Sequence, residues 1–157
     1  MSLKSILNDP GIDLVAHAVR RSQLARLASV FVSVFVTMFN LGPAISAVWG
    51  IASILFWLFT HRVIQFAKPG TAMTFGQRML NALAMLLETT CWSGLAMLYW
   101  EPSNPAFVMV AICTLAGQLI HAQSFVSRSR ISMAMCAGVP ALSLLLLPAL
   151  SGAFTGM

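Results

Sequence analysis

Residues Met79 to Trp100 read MLNALAMLLETTCWSGLAMLYW. This stretch is long enough to cross a bilayer as an α-helix, which needs roughly 20 mainly apolar residues. Its one carboxylate, Glu88, lies near the middle. A lone ionisable group at that depth costs roughly 2.5–3.5 kcal/mol even on insertion scales, so it normally faces protein or water. The stretch therefore predicts a transmembrane helix whose carboxylate is turned away from lipid.

One face of this predicted helix carries side chains with polar groups, spaced seven, four and seven residues apart: Asn81, Glu88, Trp92 and Tyr99. At about 100° per residue these positions fall within roughly 40° of one another. The spacing predicts a polar stripe along the helix.

The composition indicates an integral membrane protein. The chain is 59% hydrophobic and 8% charged, with a mean hydropathy of +0.86, so it has too few polar side chains to cover a soluble globule of its size. A net charge of +5 would suit nucleic acid, but the basic residues lie in short clusters between apolar runs. That placement is typical of charges that set membrane topology and contact lipid phosphates. We expect the lipid bilayer, and no nucleic acid, as a partner.

The apolar runs predict an all-α polytopic membrane bundle of about five transmembrane helices, preceded by an amphipathic N-terminal helix. Residues 1–23 form the predicted amphipathic segment on the cytoplasmic leaflet, without a cleavable signal peptide. The predicted membrane domain covers 24–152 and the tail 153–157. The predicted spans are 24–39, 43–60, 79–99, 105–122 and 131–150.

Local signals mark the helix boundaries, since a capping side chain, a Pro at the first turn or a Gly after the last turn ends or starts a helix. The pairs that carry these signals are Asp9 with Pro10, Gly42 with Pro43, Thr74 with Gln77, and Asn104 with Pro105. The last span contains Pro140 and Pro148. We expect a kinked helix there, with a re-entrant hairpin as the alternative.

The basic residues test this division, because loops on the cytoplasmic side are enriched in Lys and Arg. Under the predicted division all nine lie on one side of the membrane. The sequence therefore predicts a cytoplasmic N-terminus. We expect Arg26 to turn back towards the headgroups. The residues assigned to topology and lipid phosphates are Arg20, Arg21, Arg26, Arg62, Lys68, Arg78, Arg128 and Arg130.

A second polar stripe lies on the fourth predicted span, where Thr114, Gln118 and His121 share one helical face. If it faces the stripe of the third span, Glu88 as a neutral acid pairs with Gln118. Alternatively, Glu88 forms an ionic pair with His121. The candidate site residues are thus Glu88, Gln118, His121, Asn81, Trp92 and Thr114.

Two interpretations of these residues stay open. They form a buried polar site that binds a small ligand or cation or titrates, or they are interhelical contacts worth roughly 0.6–2 kcal/mol each, which is the commoner use of such residues. The three cysteines lie in apolar runs without Cys-x-x-Cys spacing, so we expect no disulfide, metal site or cofactor.

Several segments together resemble the N-terminal membrane input region of bacterial sensor histidine kinases and related diguanylate cyclases. They are the basic N-terminal helix, the hairpin closed at 40–43, the Trp-Glu-Pro-x-x-Pro turn at 100–105, the run LAGQLIHA at 115–122, and the Gly-Val-Pro segment at 138–140 with the later Pro148. The resemblance implies a sensory or anchoring domain of the bacterial inner membrane that works as a homodimer or with a signalling partner. Such regions typically continue into a phospho-acceptor helix and an ATP-binding domain, and this sequence departs from that pattern because neither segment is recognisable in it.

The resemblance thus implies a chain that is not an enzyme by itself. Two other functions stay open on the residues alone. One is a small transporter or permeability protein that uses Glu88 at mid-membrane. The other is a membrane subunit or assembly factor of a larger complex, docked through the basic loops.

Overall fold

A computed structural model describes Asp9, residues 11–66 and residues 71–152 of the chain. Within these residues the chain forms six α-helices, α1 (Gly11–Arg21), α2 (Gln23–Asn40), α3 (Pro43–Ile64), α4 (Phe75–Tyr99), α5 (Pro105–His121) and α6 (Arg130–Leu150). Five of them, α2 to α6, are long and apolar enough to cross a membrane. The predicted all-α membrane bundle with a preceding amphipathic helix is confirmed.

The local signals produce the predicted helix ends. Thr74 and Gln77 form a capping box, in which Thr74 N donates to Gln77 Oε1 at 2.8 Å and Gln77 N donates to Thr74 Oγ1 at 3.4 Å. Asn104 Oδ1 accepts from two backbone amides at the start of α5. Gly42 has a φ of 90°, which favours glycine, and Pro43 starts α3. Of the first predicted pair, Asp9 Oδ1 accepts from Gly11 N at 2.8 Å, whereas Pro10 lies outside the described residues.

Helix α4 is the central helix of the bundle. It packs against α3, α5 and α6, while α2 packs along α3. In its most apolar window 44% of the residues are buried, against 17–28% in the other four spans. By contrast, α2 and α5 do not pack extensively along each other in the described part of the chain. The first and fourth spans therefore do not form a closely packed pair.

The half of the bundle near the 41–42 and 100–104 turns has an apolar core. Buried side chains from α2 to α6 meet there, with Trp49, Leu95 and Leu115 among them. The rings of Trp49 and Trp92 pack edge to face at 5.2 Å. Bulky side chains thus fill this half between the helices.

Helix α1 covers the other end of the bundle, which we call the basic end because Arg62, Arg128 and Arg130 lie there. Its apolar stripe is buried against the ends of the long helices and consists of Ile12, Val15, Ala16 and Val19. The expectation that this face lies on the lipid leaflet is therefore wrong. The spacing of the stripe specifies a helix with one apolar face, and protein provides the apolar surface that covers it.

Polar contacts fasten α1 in place. Arg78 donates to Asp13 twice, from Nη2 to Oδ2 at 2.9 Å and from Nε to Oδ1 at 3.3 Å. Ser129 Oγ donates to Asp9 Oδ2 at 2.8 Å, and Gly11 packs so closely on the Arg128 carbonyl that a Cβ there would clash. Asp13 and Arg78, 65 residues apart in sequence, thus tie α1 to the first turn of α4.

The last helix is continuous from Arg130 to Leu150, with Pro140 and Pro148 inside it, so the alternative of a re-entrant hairpin is wrong. The chain before it contains a feature that the sequence did not indicate. Residues Ala122–Val126 form a π-helical turn directly after α5. Ala122 and Val126 of this turn are buried in the cluster that includes Val15 and Val19 of α1.

Candidate ligand-binding site

A cavity of about 380 Å³ lies between α2, α4, α5 and α6, towards the basic end of the bundle. Its wall includes five of the six predicted candidate residues, and Arg26 joins them from α2. These six wall residues are Arg26, Glu88, Trp92, Thr114, Gln118 and His121. Apolar and weakly polar side chains, including Met85, Cys113 and Cys136, complete the lining.

The charged part of the wall is an ion pair between α2 and α4. Arg26 Nη1 donates to Glu88 Oε2 at 2.9 Å, and Thr60 Oγ1 of α3 donates to the same oxygen at 3.4 Å. Both charged side chains are mostly buried, with 20% of Arg26 and 12% of Glu88 exposed. A carboxylate with two donors from two helices satisfies the demand that a buried charge be paired and hydrogen-bonded.

The expectation that Arg26 turns back to the headgroups is therefore wrong, and so is the picture of Glu88 as a lone charge. Arg26 lies in the first turn of α2, and Thr60 lies about one turn before the end of α3. Both residues are at the basic end of their helices. Their contacts join Glu88, which lies midway along α4, to the basic ends of α2 and α3.

Glu88 and Gln118 share the cavity but do not form the expected pair. Ser93 Oγ donates to Gln118 Oε1 at 3.2 Å, and no hydrogen bond joins Glu88 to Gln118 within 11–66 and 71–152. A carboxylate gains more from a guanidinium donor than from a neutral amide, which explains the choice of Arg26. The amide nitrogen of Gln118 is buried and has no acceptor among the described residues, so half of this amide is left unsatisfied by the protein.

The polar stripe of α4 contacts α2 and α3 as well as the cavity wall that α5 provides. Tyr99 Oη donates to Thr37 Oγ1 of α2 at 3.5 Å, and the Trp92 ring contacts Trp49 of α3. Asn81 lies away from the cavity, is 1% exposed and donates to the sulfur of Met85 at 3.6 Å. Asn81 is thus buried beside its own helix and does not line the candidate site.

The basic residues assigned to lipid phosphates divide into two groups. Arg26 and Arg78 form ion pairs inside the protein and so contact carboxylates rather than lipid phosphates, while their role in topology stays a prediction. Lys68 lies outside the described residues. The remaining five are exposed, and they are Arg20, Arg21, Arg62, Arg128 and Arg130.

The sequence did contain a signal for the missed partner of Glu88. Within the five predicted spans Glu88 is the one acidic residue and Arg26 the one Lys or Arg. Each of two opposite charges in apolar helices needs a partner, so the simplest expectation is that they pair with each other. Ser29, Thr89 and Cys136 of the cavity wall carried no comparable signal, because small polar and sulfur side chains are common inside membrane helices.

The chemistry available in the cavity is hydrogen bonding and charge. In the described part of the chain, no three His, Cys, Asp and Glu side chains are grouped as metal ligands. The guanidinium of Arg26 has five N–H donors, of which one is used on Glu88.

Comparison with known proteins finds no family model that matches the chain, no similar curated protein and no similar solved structure.

Proposed function

We propose that the chain is a membrane-embedded sensory module that binds a small ligand in the cavity beside Arg26 and Glu88. The observation that supports it most is the cavity itself, about 380 Å³ with an ion pair in its wall. Ligand sites are commonly concave, mainly apolar and provided with a few polar groups, and their volumes run from about 300 to 1,000 Å³. Pure packing residues would instead fill the space between the helices.

The position of the ion pair gives a route from ligand to output. Arg26 lies one turn after Ser22, which connects α2 to α1, and α1 covers the basic end of the bundle. A ligand that binds better to one position of Arg26 than to another shifts the population of the α1–α2 corner. The signal would then reach a fused or recruited output domain, or a second copy of the chain, on the side of the basic residues.

A carrier function through Glu88 has less support than binding. Glu88 is neutralised by Arg26, and the apolar cluster that includes Trp49, Leu95 and Leu115 fills the other half of the bundle. A passage for a proton or cation needs polar groups or water on both sides of the carrying residue. The charged groups of the cavity wall lie on the basic side, and the polar groups of Tyr99 and Thr37 on the other side are hydrogen-bonded to each other.

The proposed orientation puts the basic end in the cytoplasm of a bacterial cell, with the chain in the inner membrane. The exposed arginines at this end support it, because basic residues concentrate on the cytoplasmic side. Reporter fusions at Ser103 and after Arg62 test the orientation. A cytoplasmic-type signal at Ser103 contradicts it.

The binding proposal is tested by filling the cavity. Gly117 lines it, and a Cβ at Gly117 meets nothing within 4 Å; the same holds for Gly94, which is not among the lining residues. Gly117→Leu and Gly94→Leu are therefore matched variants of equal added volume. Native mass spectrometry of protein released from lipid nanodiscs should show a small molecule retained by wild type and Gly94→Leu and lost from Gly117→Leu. Equal spectra from all three proteins, or no retained molecule in wild type, would contradict the proposal.

A further inference from the structure

We infer that the ligand is a single-chain amphiphile with an anionic headgroup, which enters the cavity from the bilayer through the space between α2 and α5. This inference rests on the proposed binding function and adds the class of ligand and its path. It follows from the opening of the cavity, its size and the distribution of donors along its wall.

The opening faces lipid. Among the lining residues, Ser29 of α2 and Cys113 and Gly117 of α5 are exposed. The same two helices expose large apolar side chains on either side, for example Phe31 and Ile120, which are 57% and 66% exposed. The cavity is lined by residues of both α2 and α5, which do not pack extensively along each other in the described part, so the space between these two helices gives a lateral entrance. A ligand dissolved in the bilayer reaches the cavity without crossing the headgroup layer.

The size of the cavity favours one chain. At about 380 Å³ it is near the lower end of the range for ligand sites, roughly 300–1,000 Å³. Its wall includes Met85, Trp92 and Cys136, whose side chains suit contact with a hydrocarbon chain. A two-chain phospholipid exceeds this space, whereas one chain of medium length with a compact headgroup matches it.

The charged donor of the wall lies at the end of the cavity nearest the exposed arginines of the basic end. Arg26 is there, in the first turn of α2, and uses one of its five N–H donors on Glu88. The other N–H groups of Arg26 can donate to an anion. If Arg26 turns towards that anion, Glu88 still accepts a hydrogen bond from Thr60. A cationic headgroup would have to displace Arg26 from Glu88. The wall therefore favours a carboxylate or phosphate over an ammonium group.

The exposed arginines reinforce this preference. Arg20 and Arg21 end α1, and Arg62 lies near the end of α3, so three exposed positive charges lie at the same end of the bundle as Arg26. Such a cluster raises the local concentration of anionic amphiphiles near the entrance. Their contribution is general attraction, while Arg26 provides the contact inside the cavity.

The test uses one chain with different headgroups. In phosphatidylcholine nanodiscs, a variant that keeps Trp92 and carries Phe at the other three tryptophans is titrated with four probes: 10-bromodecanoate, 10-bromodecyl phosphate, 10-bromodecanol and 10-bromodecyltrimethylammonium. Bromine quenches Trp92 at contact. We expect saturable quenching, with both anions binding about tenfold tighter than the alcohol or the cation, the order of one charge-assisted hydrogen bond. The ratio of carboxylate to phosphate affinity then distinguishes the two anionic sources.

Two variants connect the result to the structure. Arg26→Gln/Glu88→Gln replaces the ion pair by two amides and should remove the preference for anions while saturable binding persists. Gly117→Leu should abolish saturable quenching, and Gly94→Leu should not. If the single-tryptophan protein does not fold, displacement of the retained molecule from wild type by the same four probes, followed by native mass spectrometry, replaces the fluorescence measurement.

The outcomes separate the two proposals. Saturable binding that favours the cation or the alcohol overturns the anionic amphiphile and leaves the ligand-binding function standing. Quenching that rises without saturation, equally for all headgroups and in Gly117→Leu, shows ordinary partition into lipid and overturns both. Equal affinity for acetate, octanoate and decanoate would show that the hydrocarbon chain contributes nothing to binding, which would overturn both the amphiphile and its entry from the bilayer.

Discussion

The two ion pairs of the described residues, Asp13–Arg78 and Arg26–Glu88, have the same shortest N–O distance, 2.9 Å, and differ in the number of their hydrogen bonds and in their surroundings. Asp13 and Arg78 contact each other through two parallel hydrogen bonds, at the end of the bundle where α1 is fastened. Arg26 and Glu88 share one short bond in the wall of a cavity. An ion pair that forms two parallel hydrogen bonds, such as Asp13–Arg78, holds two helices together. An ion pair whose arginine uses one N–H group, such as Arg26–Glu88, leaves other donors that can bind a ligand.

The largest effect should come from breaking the Arg26–Glu88 pair on one side only. Arg26→Met or Glu88→Met leaves a mostly buried charge without its ionic partner, and we expect a loss of up to about 3–5 kcal/mol in the free energy of unfolding. The double variant Arg26→Met/Glu88→Met should recover most of that loss, because no charge is left unpaired. Unfolding by SDS titration in mixed micelles measures all three.

The control for these three variants is Arg62→Met, which removes an exposed charge and should change the free energy of unfolding by less than about 0.5 kcal/mol. Single variants as stable as the Arg62 control, with no gain in the double variant, would contradict a buried ion pair between α2 and α4.

A smaller and more local effect should follow from breaking the Asp13–Arg78 pair. Arg78→Gln removes the paired hydrogen bonds that join α1 to α4, each charge-assisted contact being worth about 1.5–3 kcal/mol. We expect α1 to detach more often, and trypsin to cleave after Arg20 and Arg21 faster than in wild type. Cleavage after Arg62, which is exposed on α3, should keep its wild-type rate and acts as the internal reference.

If trypsin cleaves the Arg78→Gln protein after Arg20, Arg21 and Arg62 at rates that all match wild type, the ion pair does not hold α1 in place. If all three rates rise together, the variant loosens the whole bundle, and the expectation that the Asp13–Arg78 pair acts on α1 alone is wrong.

The smallest of the three effects is expected at Gly11. A Cβ at Gly11 clashes with the Arg128 carbonyl, so Gly11→Ala forces α1 away from the loop before α6 and should cost about 1–3 kcal/mol. Gly76→Ala is the matched control, since a Cβ at Gly76 meets nothing within 4 Å. The same SDS titration measures both. Equal stability of the two variants would show that α1 does not pack closely on that loop.

The helices were predictable from the sequence because their signals are local. The capping box at Thr74, the Asn104 cap and the Gly42–Pro43 turn act within a few residues, so reading the chain in order finds them. Apolar length alone separates the five spans. The π-helical turn at Ala122–Val126 had no such signal in the residues themselves.

The candidate site was predictable only in part. The spacing of polar residues indicates which of them share a helix face, but it does not indicate which helix packs against that face. Depth matching between the third and fourth spans correctly brought Glu88 and Gln118 into one cavity. It failed to identify Arg26, whose distance of 62 residues from Glu88 carries no periodic signal. The apolar stripe of α1 has the same ambiguity, since lipid and protein both cover an apolar face and only the fold decides between them.

The pairing of Arg26 with Glu88 is the central claim, and magic-angle-spinning NMR in lipid bilayers tests it directly. The chain has two glutamates, and Ser103 Oγ donates to the second one, Glu101, in the 101–104 turn. Protein labelled with ¹³C-carboxyl glutamate and ¹⁵N-guanidino arginine should therefore show one strong glutamate–arginine dipolar contact, assigned to Glu88 and absent from Arg26→Gln. If Glu88 shows no dipolar contact with arginine in wild type, or if the contact persists in Arg26→Gln, Arg26 and Glu88 are not paired.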